Sequence, residues 1–277
     1  MSDGGVPAPV VTAACLARRH DALAQGSRLI PEETPIAFTY GGSTHAVMMA
    51  TPADLEDFAT GFALTEGLIE ADTGALEVEI VASELGVELR SWLPGDSQRQ
   101  YAARRRSMAG PTGCGLCGIE SLEQAAREPP QVDDGFRVKS TQLIEAMDRM
   151  PDRQTVNRQT RAVHAAAFWR PLDDLLVLRE DVGRHNALDK LAGALLREGV
   201  SGKDGVVLMT SRVSVELIQK AARIGSPVIA AISAPTALAV RTAQACGMTL
   251  VAVMRGRDFE VFTHPERIVE PAPIHVA

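Results

Sequence analysis

The feature that most constrains the fold is a regular alternation of element types between residues 206 and 254. Uninterrupted apolar runs such as "VVLM" alternate with amphipathic stretches such as "VSVELIQKAARIG". A strand that is apolar on both faces needs helices on both sides, which is typical of parallel strands joined by helical crossovers. Gly225 and Gly247 are expected to end the two intervening helices. We therefore predict an α/β protein with a mostly parallel sheet in its C-terminal half.

The N-terminal half shows a different pattern. Residues 36–40 and 44–49 alternate in polarity around Gly41-Gly42, which predicts a β-hairpin with a tight turn. Thr51 is expected to cap the helix that follows. A proline-rich segment at 127–135 interrupts the pattern and predicts a boundary. The expected divisions are a partly disordered lead-in (1–30), a smaller N-terminal β/α lobe (31–130) and a C-terminal α/β lobe (131–277).

Charge, hydropathy and cysteine content exclude several classes of function and partner. A net charge of −7 over 277 residues argues against a general nucleic-acid or membrane-surface binder. No stretch approaches the roughly 20 apolar residues that span a bilayer, and the start "MSDGGVPAPV" lacks the pattern of a signal peptide. Four cysteines in a chain of this length do not form a disulfide scaffold. We therefore expect a cytoplasmic protein with neither nucleic acid nor membrane as a partner.

Polar segments follow the strands predicted in the C-terminal lobe. They are "REDVGRHN", "TSRVS", "SAPT" and "RGRD". Ligands of open α/β sheets gather at the carboxyl ends of the strands, where helix N-termini favour anions. The guanidinium groups of Arg255 and Arg257 match phosphate oxygens, although pairing with surface carboxylates is an equal alternative.

Other polar residues of these segments have two interpretations each. Ser211, Ser233 and Thr236 are more often helix caps than ligand contacts. His185, with Asn186, is as compatible with a structural role as with a ligand contact. For Asp181 and Asp189, which carry carboxylates able to recognise guanine, a solvated helix face is the better default. The convergence of the segments, more than any one residue, predicts a site for an anionic ligand.

Cys114 and Cys117 form a Cys-x-x-Cys pair among glycines, in a loop (about 105–120) that we expect to be mobile, after Arg104–Arg106. A structural zinc site needs a second spaced pair, which is absent, so no metal ligand is predicted. A thioredoxin-type dithiol follows a buried strand, whereas this one follows a basic stretch. A nucleophilic thiol, its pKa lowered by arginines and a helix N-terminus, can carry a persulfide. This third interpretation fits best, and the other two stay open here.

Five ordered blocks between about residues 35 and 268 resemble the formate dehydrogenase accessory sulfurtransferase family. They are "TGCGLCGIE", "REDVGRHNALDKL", "TSRVSVELIQKAA", "SAPTALAV" and "TLVAVMRGRDFEVFTHP". The resemblance implies a sulfurtransferase that receives persulfide sulfur from a cysteine desulfurase. It passes the sulfur to the molybdenum (or tungsten) cofactor, bis(molybdopterin guanine dinucleotide), which formate dehydrogenase needs. A guanine nucleotide is expected to mimic that cofactor.

By matching position, the resemblance makes Cys114 the persulfide carrier and Cys117 the assisting thiol. The cofactor-binding residues that it implies are Val253, Met254, Arg255, Gly256, Arg257 and Asp258. It also implies a homodimer and a three-layer sandwich similar to cytidine deaminase. One departure is that Arg161 and Ala162 stand where the family usually has two glycines.

Two alternatives from other classes remain. A non-catalytic chaperone would bind the molybdenum cofactor without moving sulfur. A zinc-binding interaction module would hold a metal at the cysteine pair.

Overall fold

The computed structural model describes residues 5–95, 97 and 128–270 of the chain. The strands are β1 (Val10–Arg19), β2 (Ala22–Pro31), β3 (Thr34–Tyr40), β4 (Ser43–Ala50), β5 (Val78–Ser83), β6 (Gly86–Ser91), β7 (Val138–Lys139), β8 (His164–Arg170), β9 (Leu175–Asp181), β10 (Val206–Met209), β11 (Val228–Ala231), β12 (Thr249–Arg255), β13 (Asp258–Thr263) and β14 (Ile268–Val269). The α-helices are α1 (Leu55–Thr65), α2 (Ser140–Asp148), α3 (Met150–Arg153), α4 (Thr155–Thr160), α5 (Arg184–Arg197), α6 (Val215–Ile224) and α7 (Ala237–Ala245).

The N-terminal lobe is a four-stranded sheet, in the order β4-β3-β6-β5, with α1 packed on one face. The predicted hairpin of β3 and β4 is confirmed, and both Gly41 and Gly42 have positive φ at its turn. The ring of Phe38 on β3 stacks on Phe62 of α1, with ring centroids 4.0 Å apart. The apolar face of the helix therefore closes the core of this lobe.

The expected cap of α1 was wrong. The helix begins three residues later than predicted, with Asp54 as its N-cap residue. The hydroxyl of Thr51 instead accepts a hydrogen bond from the backbone N–H of Val182, in the other lobe. A long-range contact thus replaces the local one that the sequence favours.

The C-terminal lobe is built on a six-stranded mixed sheet in the order β13-β12-β11-β10-β8-β9. The predicted parallel pairing is confirmed for β10, β11 and β12, but β8, β9 and β13 pair antiparallel with their neighbours. Apolar residues on one face pack against α5, α6 and α7, and those on the other face against α2 and α3. Gly225 and Gly247 follow α6 and α7 with φ of 85° and 75°, as predicted.

The two lobes meet where α1 crosses α5. An added Cβ on Gly61 would lie 1.7 Å from the carbonyl oxygen of Asp189, and one on Gly193 would lie 1.8 Å from that of Asp57. Neither distance is possible for a real Cβ, so the two backbones approach closely only because both positions are glycine. The same interface is spanned by ion pairs, described below.

Residues 10–31 form a long hairpin of β1 and β2, in the region expected to be a partly disordered lead-in. The hairpin is a separate two-stranded sheet, and the Arg28 guanidinium donates a hydrogen bond to the carbonyl of Thr160 at the end of α4. Its side chains are mostly exposed, including Leu16 and Leu23. Because few of its apolar residues are buried, the sequence carried only a weak signal for these strands.

Candidate anion-binding edge of the C-terminal sheet

The four polar segments lie at one edge of the six-stranded sheet. Strands β9, β10, β11 and β12 all point the same way, so their carboxyl ends share that edge. The neighbouring segments are tied together through the backbone: Val213 forms a parallel bridge with Pro235, and the N–H of Thr236 donates to the carbonyl of Val213 at 2.9 Å. The predicted convergence of these segments is therefore present in the fold.

The segment Arg255–Asp258 forms the tight turn between β12 and β13. Arg255 pairs with Asp258, and Gly256 has a φ of 58°. Both arginine side chains are exposed, and neither makes an ion pair within the part of the chain that the structure describes. Just before the turn, the pairing is irregular and Val253 has a φ of 55°, which is rare for a β-branched residue. Of the residues implied as cofactor-binding, Arg255–Asp258 form an exposed turn, whereas Val253 is half-buried and Met254 is buried in the core, so the Met254 side chain is not accessible to a ligand.

His185 lies in the first turn of α5 and faces the start of α6. Its Nε2 atom is 2.7 Å from the carboxylate of Glu216 and 3.2 Å from the hydroxyl of Ser214. The hydrogen bond from His185 lowers the pKa of the Glu216 carboxyl. Glu216 holds the imidazole in place, and the side chain is only partly buried.

Asp181 and Asn186 serve the lobe interface. The Asp181 carboxylate is fully buried and lies 2.7 Å from the Nζ atom of Lys190. It also accepts hydrogen bonds from the Thr51 N–H and from the Asn186 side chain. The Asn186 amide donates in addition to the carbonyl of Met49. The hydrogen bonds with Thr51 and Met49 join the C-terminal lobe to the end of β4 and the residue after it, whereas the contacts with Lys190 and between Asp181 and Asn186 lie within the C-terminal lobe. Neither side chain is therefore available to a ligand.

Asp189 is buried too, rather than on the solvated helix face expected of it. Its carboxylate lies 2.9 Å from the Nζ atom of Lys220 and accepts a hydrogen bond from Thr65. Burial alone would lower the pKa of Lys220, but the carboxylates of Asp189 and Glu66 outweigh it and raise that pKa. Guanine recognition by this carboxylate is therefore not supported by the geometry.

The hydroxyl groups at the edge differ in their use. Thr236 caps α7, since its Oγ1 accepts a hydrogen bond from the N–H of Ala239, as the capping interpretation predicted. The Ser211 hydroxyl donates to the carbonyl of Arg212 instead. Ser214, which the sequence did not single out, is the N-cap residue of α6 but makes no capping bond with its side chain.

Arg161, before β8, and His164, the first residue of β8, complete this edge. Arg161 ends α4 with a φ of 59°, which explains why glycines suit this position in the family that the sequence resembles. His164 is half-buried and begins β8, opposite Asp181. Burial, together with the positive charges of Arg184 and His185, lowers the pKa of His164. The Asp181 carboxylate acts in the opposite direction, so the lowered pKa reflects burial above all.

Cys114 and Cys117 lie outside the described residues, as do Arg104–Arg106. Of the other two cysteines, Cys15 is exposed on the hairpin and Cys246 is buried, and burial raises the pKa of the Cys246 thiol. Within residues 5–95, 97 and 128–270, no group of three or more histidine, cysteine or acidic residues is placed to hold a metal ion. None of the helices described there is long and apolar enough to cross a bilayer.

Fold and site together define a two-lobed α/β protein whose parallel strands end in converging polar segments. Residues 31–269 match the model of the FdhD/NarQ family. The chain is 54% identical to the sulfur carrier protein FdhD of Agrobacterium fabrum, over 91% of this chain and 94% of that protein. It is 50% identical to the protein of the same name from Brucella abortus, over 92% and 95%. This chain belongs to the FdhD/NarQ family.

A solved structure agrees with the fold. A Desulfotalea psychrophila protein described as a formate dehydrogenase accessory protein superposes with a TM-score of 0.72 at 25% sequence identity. The match covers 94% of this chain and 99% of that one. Both lobes therefore have a counterpart in the solved structure.

Proposed function

We propose that this protein is a sulfurtransferase that carries persulfide sulfur in the service of a formate dehydrogenase. The observation that carries the proposal is 54% identity, over 91% of the chain, with a relative named as a sulfur carrier protein. The Cys-x-x-Cys pair supplies the nucleophile that such a role requires.

In the first step, the donor is a cysteine desulfurase that bears a persulfide. The Cys114 thiolate attacks the outer sulfur atom, so that a sulfur–sulfur bond forms on Cys114 and the desulfurase cysteine leaves as a thiolate. Cys117, three residues away, assists as a second thiol. No electrons are gained or lost overall, because one persulfide replaces another.

In the second step, the recipient is the molybdenum cofactor in its bis(molybdopterin guanine dinucleotide) form, bound as a substrate at Val253–Asp258. The Cys117 thiolate attacks the inner sulfur atom of the Cys114 persulfide, so that a Cys114–Cys117 disulfide forms and the outer sulfur leaves to the cofactor at the oxidation level of sulfide. The two thiols supply the two electrons that this release requires. Arg255 and Arg257 are suited to the phosphates of the cofactor because both are exposed and make no ion pair with the described residues. A guanine nucleotide should occupy the same place. We further propose that the protein acts in the cytoplasm as a homodimer.

Mass spectrometry tests the sulfur-carrying step. After incubation with a cysteine desulfurase and cysteine, the peptide that contains Cys114 should gain about 32 Da, the mass of one sulfur atom. Cys114→Ser should abolish the gain, whereas Cys15→Ser, which removes an exposed thiol on the hairpin, should leave it unchanged. An undiminished transfer of sulfur by Cys114→Ser would refute the assignment, and a chaperone that moves no sulfur would show no adduct at all.

A further inference from the structure

We propose that the β1–β2 hairpin is a dimerisation arm, which packs antiparallel against the same hairpin of a second copy of this chain. The arm would give the proposed homodimer, on which this inference rests, a contact surface and an orientation. The surface is the face of the hairpin that contains Leu16, Leu23 and Leu29, and it is called the leucine face.

The pairing register places the three leucines on one face of the hairpin. In an antiparallel pair, directly opposed residues point to the same side and successive residues alternate. Leu16 lies opposite Gln25, and Leu23 and Leu29 are each an even number of positions from Gln25 along β2. All three side chains therefore project from the same side of the hairpin.

The opposite face of the hairpin is turned towards the lobes of the same chain. It contains Arg28, which is an odd number of positions from Gln25 and donates a hydrogen bond to the carbonyl of Thr160 at the end of α4. Val11 and Ala13 on that face are partly buried. The leucine face consequently points away from the lobes.

The leucine face is apolar yet exposed. Leu16 is 59% exposed, Leu23 is 67% exposed and Leu29 is 39% exposed. A hairpin of two strands is at best marginally stable in water unless another layer covers it. Exposed clusters of apolar side chains of this kind mark interaction surfaces. We therefore expect a second apolar surface to cover this face.

Charged residues lie at the two ends of the hairpin. Arg18, which is on the leucine face, and Arg19 lie at the tip, whereas Glu32 and Glu33 lie at the base. Within the described residues, the ion pair of Arg18 with Asp21, also at the tip, is the only one that these four side chains make. The tip is therefore basic and the base acidic.

This distribution of charge fits a second hairpin that runs in the opposite direction. A two-fold axis through the middle of the leucine face would place each basic tip beside the acidic base of the partner hairpin. Each strand is about 33 Å long, several times the screening length of about 8 Å at physiological salt, so the two ends interact separately. A parallel arrangement would instead bring two basic tips together. The leucine face is thus complementary to itself in charge as well as in apolar surface, as an interface between two identical copies requires.

Sedimentation equilibrium tests the arm on the full chain. The wild type should be a dimer at micromolar concentration. Leu16→Glu combined with Leu23→Glu should weaken dimerisation at least about tenfold, because carboxylates would be buried against apolar side chains. Leu172→Glu changes an 89% exposed leucine in the β8–β9 turn and should dimerise like the wild type.

Charge reversal tests the orientation of the two arms. Arg18→Glu should weaken dimerisation a few-fold, with a larger effect at low salt, since exposed ion pairs are weak and screened. Adding Glu33→Arg to that variant should restore most of the affinity, because the tip and the base then exchange charges. Failure of the second substitution to restore affinity would overturn the antiparallel arm.

The outcomes separate this inference from the proposed function. A dimer that survives Leu16→Glu with Leu23→Glu at wild-type affinity would overturn the arm but leave the homodimer on another surface. A monomeric wild type would overturn both and assign the leucine face to a different partner. If the double variant does not fold, Arg18→Glu and its rescue decide. The sulfur adduct on Cys114 is a separate measurement, so its absence would refute sulfur transfer without changing the sedimentation result.

Discussion

At the scale of single residues, Arg161 is an arginine in a backbone conformation that favours glycine. The residue ends α4 in the left-handed region, which favours glycine because a Cβ atom crowds the following carbonyl. Its side chain is exposed and makes no ion pair within the described ranges. Arginine is therefore tolerated there at a cost in stability.

We predict that Arg161→Gly raises the free energy of unfolding by about 1 kcal/mol. Urea denaturation followed by circular dichroism measures the change. Arg158→Gly is the matched control, because this exposed arginine lies inside α4, where glycine should lower stability by about the same amount. Equal losses for the two variants would contradict the explanation.

His164 makes stability depend on pH in a defined direction. Its pKa is lowered in the folded protein from the ordinary value of 6.5, chiefly by burial. Between the two pKa values the unfolded chain binds the proton and the folded protein does not, so this contribution is complete above about pH 6.5 and is lost as pH falls. The positive neighbours Arg184 and His185 act in the same direction.

His164→Gln should therefore reduce the loss of unfolding free energy between pH 7.5 and pH 5, relative to the wild type. Urea titrations at both pH values give the difference. His20→Gln, at the exposed end of the β1–β2 hairpin, serves as the control and should leave the pH dependence unchanged. An unaltered slope for His164→Gln would show that the burial of this imidazole is not the cause.

At the scale of elements, the crossing of α1 and α5 depends on two glycines. Gly193→Ala would place a methyl group 1.8 Å from the carbonyl of Asp57, so the helices must separate. We expect a loss of about 3 kcal/mol or more in unfolding free energy, because backbone cannot yield as a side chain does. Gly95→Ala is the control, since an added Cβ there meets nothing within 4 Å. A loss below about 1 kcal/mol for Gly193→Ala would contradict this packing.

Local pattern predicted the elements better than their arrangement. The Gly41-Gly42 turn and the parallel strands β10–β12 could be predicted, because each depends on residue types within a short stretch of sequence. The antiparallel pairing of β8 and β9 did not follow, because an apolar run does not specify the direction of its neighbour. The cap at Thr51 failed because a contact 131 residues away in the chain competes for its hydroxyl.

The convergence of the polar segments could be predicted for the same reason. Strand ends converge whenever strands share a direction, so the edge could be expected from the alternation of elements. The burial of Asp181 beside Lys190 and of Asp189 beside Lys220 could not be predicted. It depends on residues of the N-terminal lobe, which hydrogen-bond to these groups. Lys190 and Lys220 themselves left a signal: each is a charge on the apolar face of its helix. The strained φ of Val253 left none.

At the scale of the whole molecule, buried charges connect the lobes. Lys190 donates to the carbonyl of Thr51 and pairs with Asp181, and both charged side chains are fully buried. On the solvent side, Arg179 and Arg197 both pair with Asp57 on α1. Removing one member of a buried pair leaves its partner charged and without compensation.

Lys190→Met should therefore lower the unfolding free energy by about 3–5 kcal/mol, whereas Asp181→Asn combined with Lys190→Met should recover part of the loss. Denaturation curves for both variants test this. Arg18→Met, which breaks an exposed ion pair on the hairpin, should change stability by less than about 1 kcal/mol. A single variant as stable as the wild type would show that the pair contributes little to joining the lobes.

The contacts of Asp181 and Asn186 with the β4–α1 segment have a consequence for engineering. Cutting the coding sequence at the proline-rich junction (residues 127–135) would yield two fragments. Each fragment would expose polar groups that are hydrogen-bonded across the interface and a helix whose glycine packs against the other fragment. Neither fragment would serve as a minimal version of this protein, and co-expression of both halves would be needed to rebuild the start of α5.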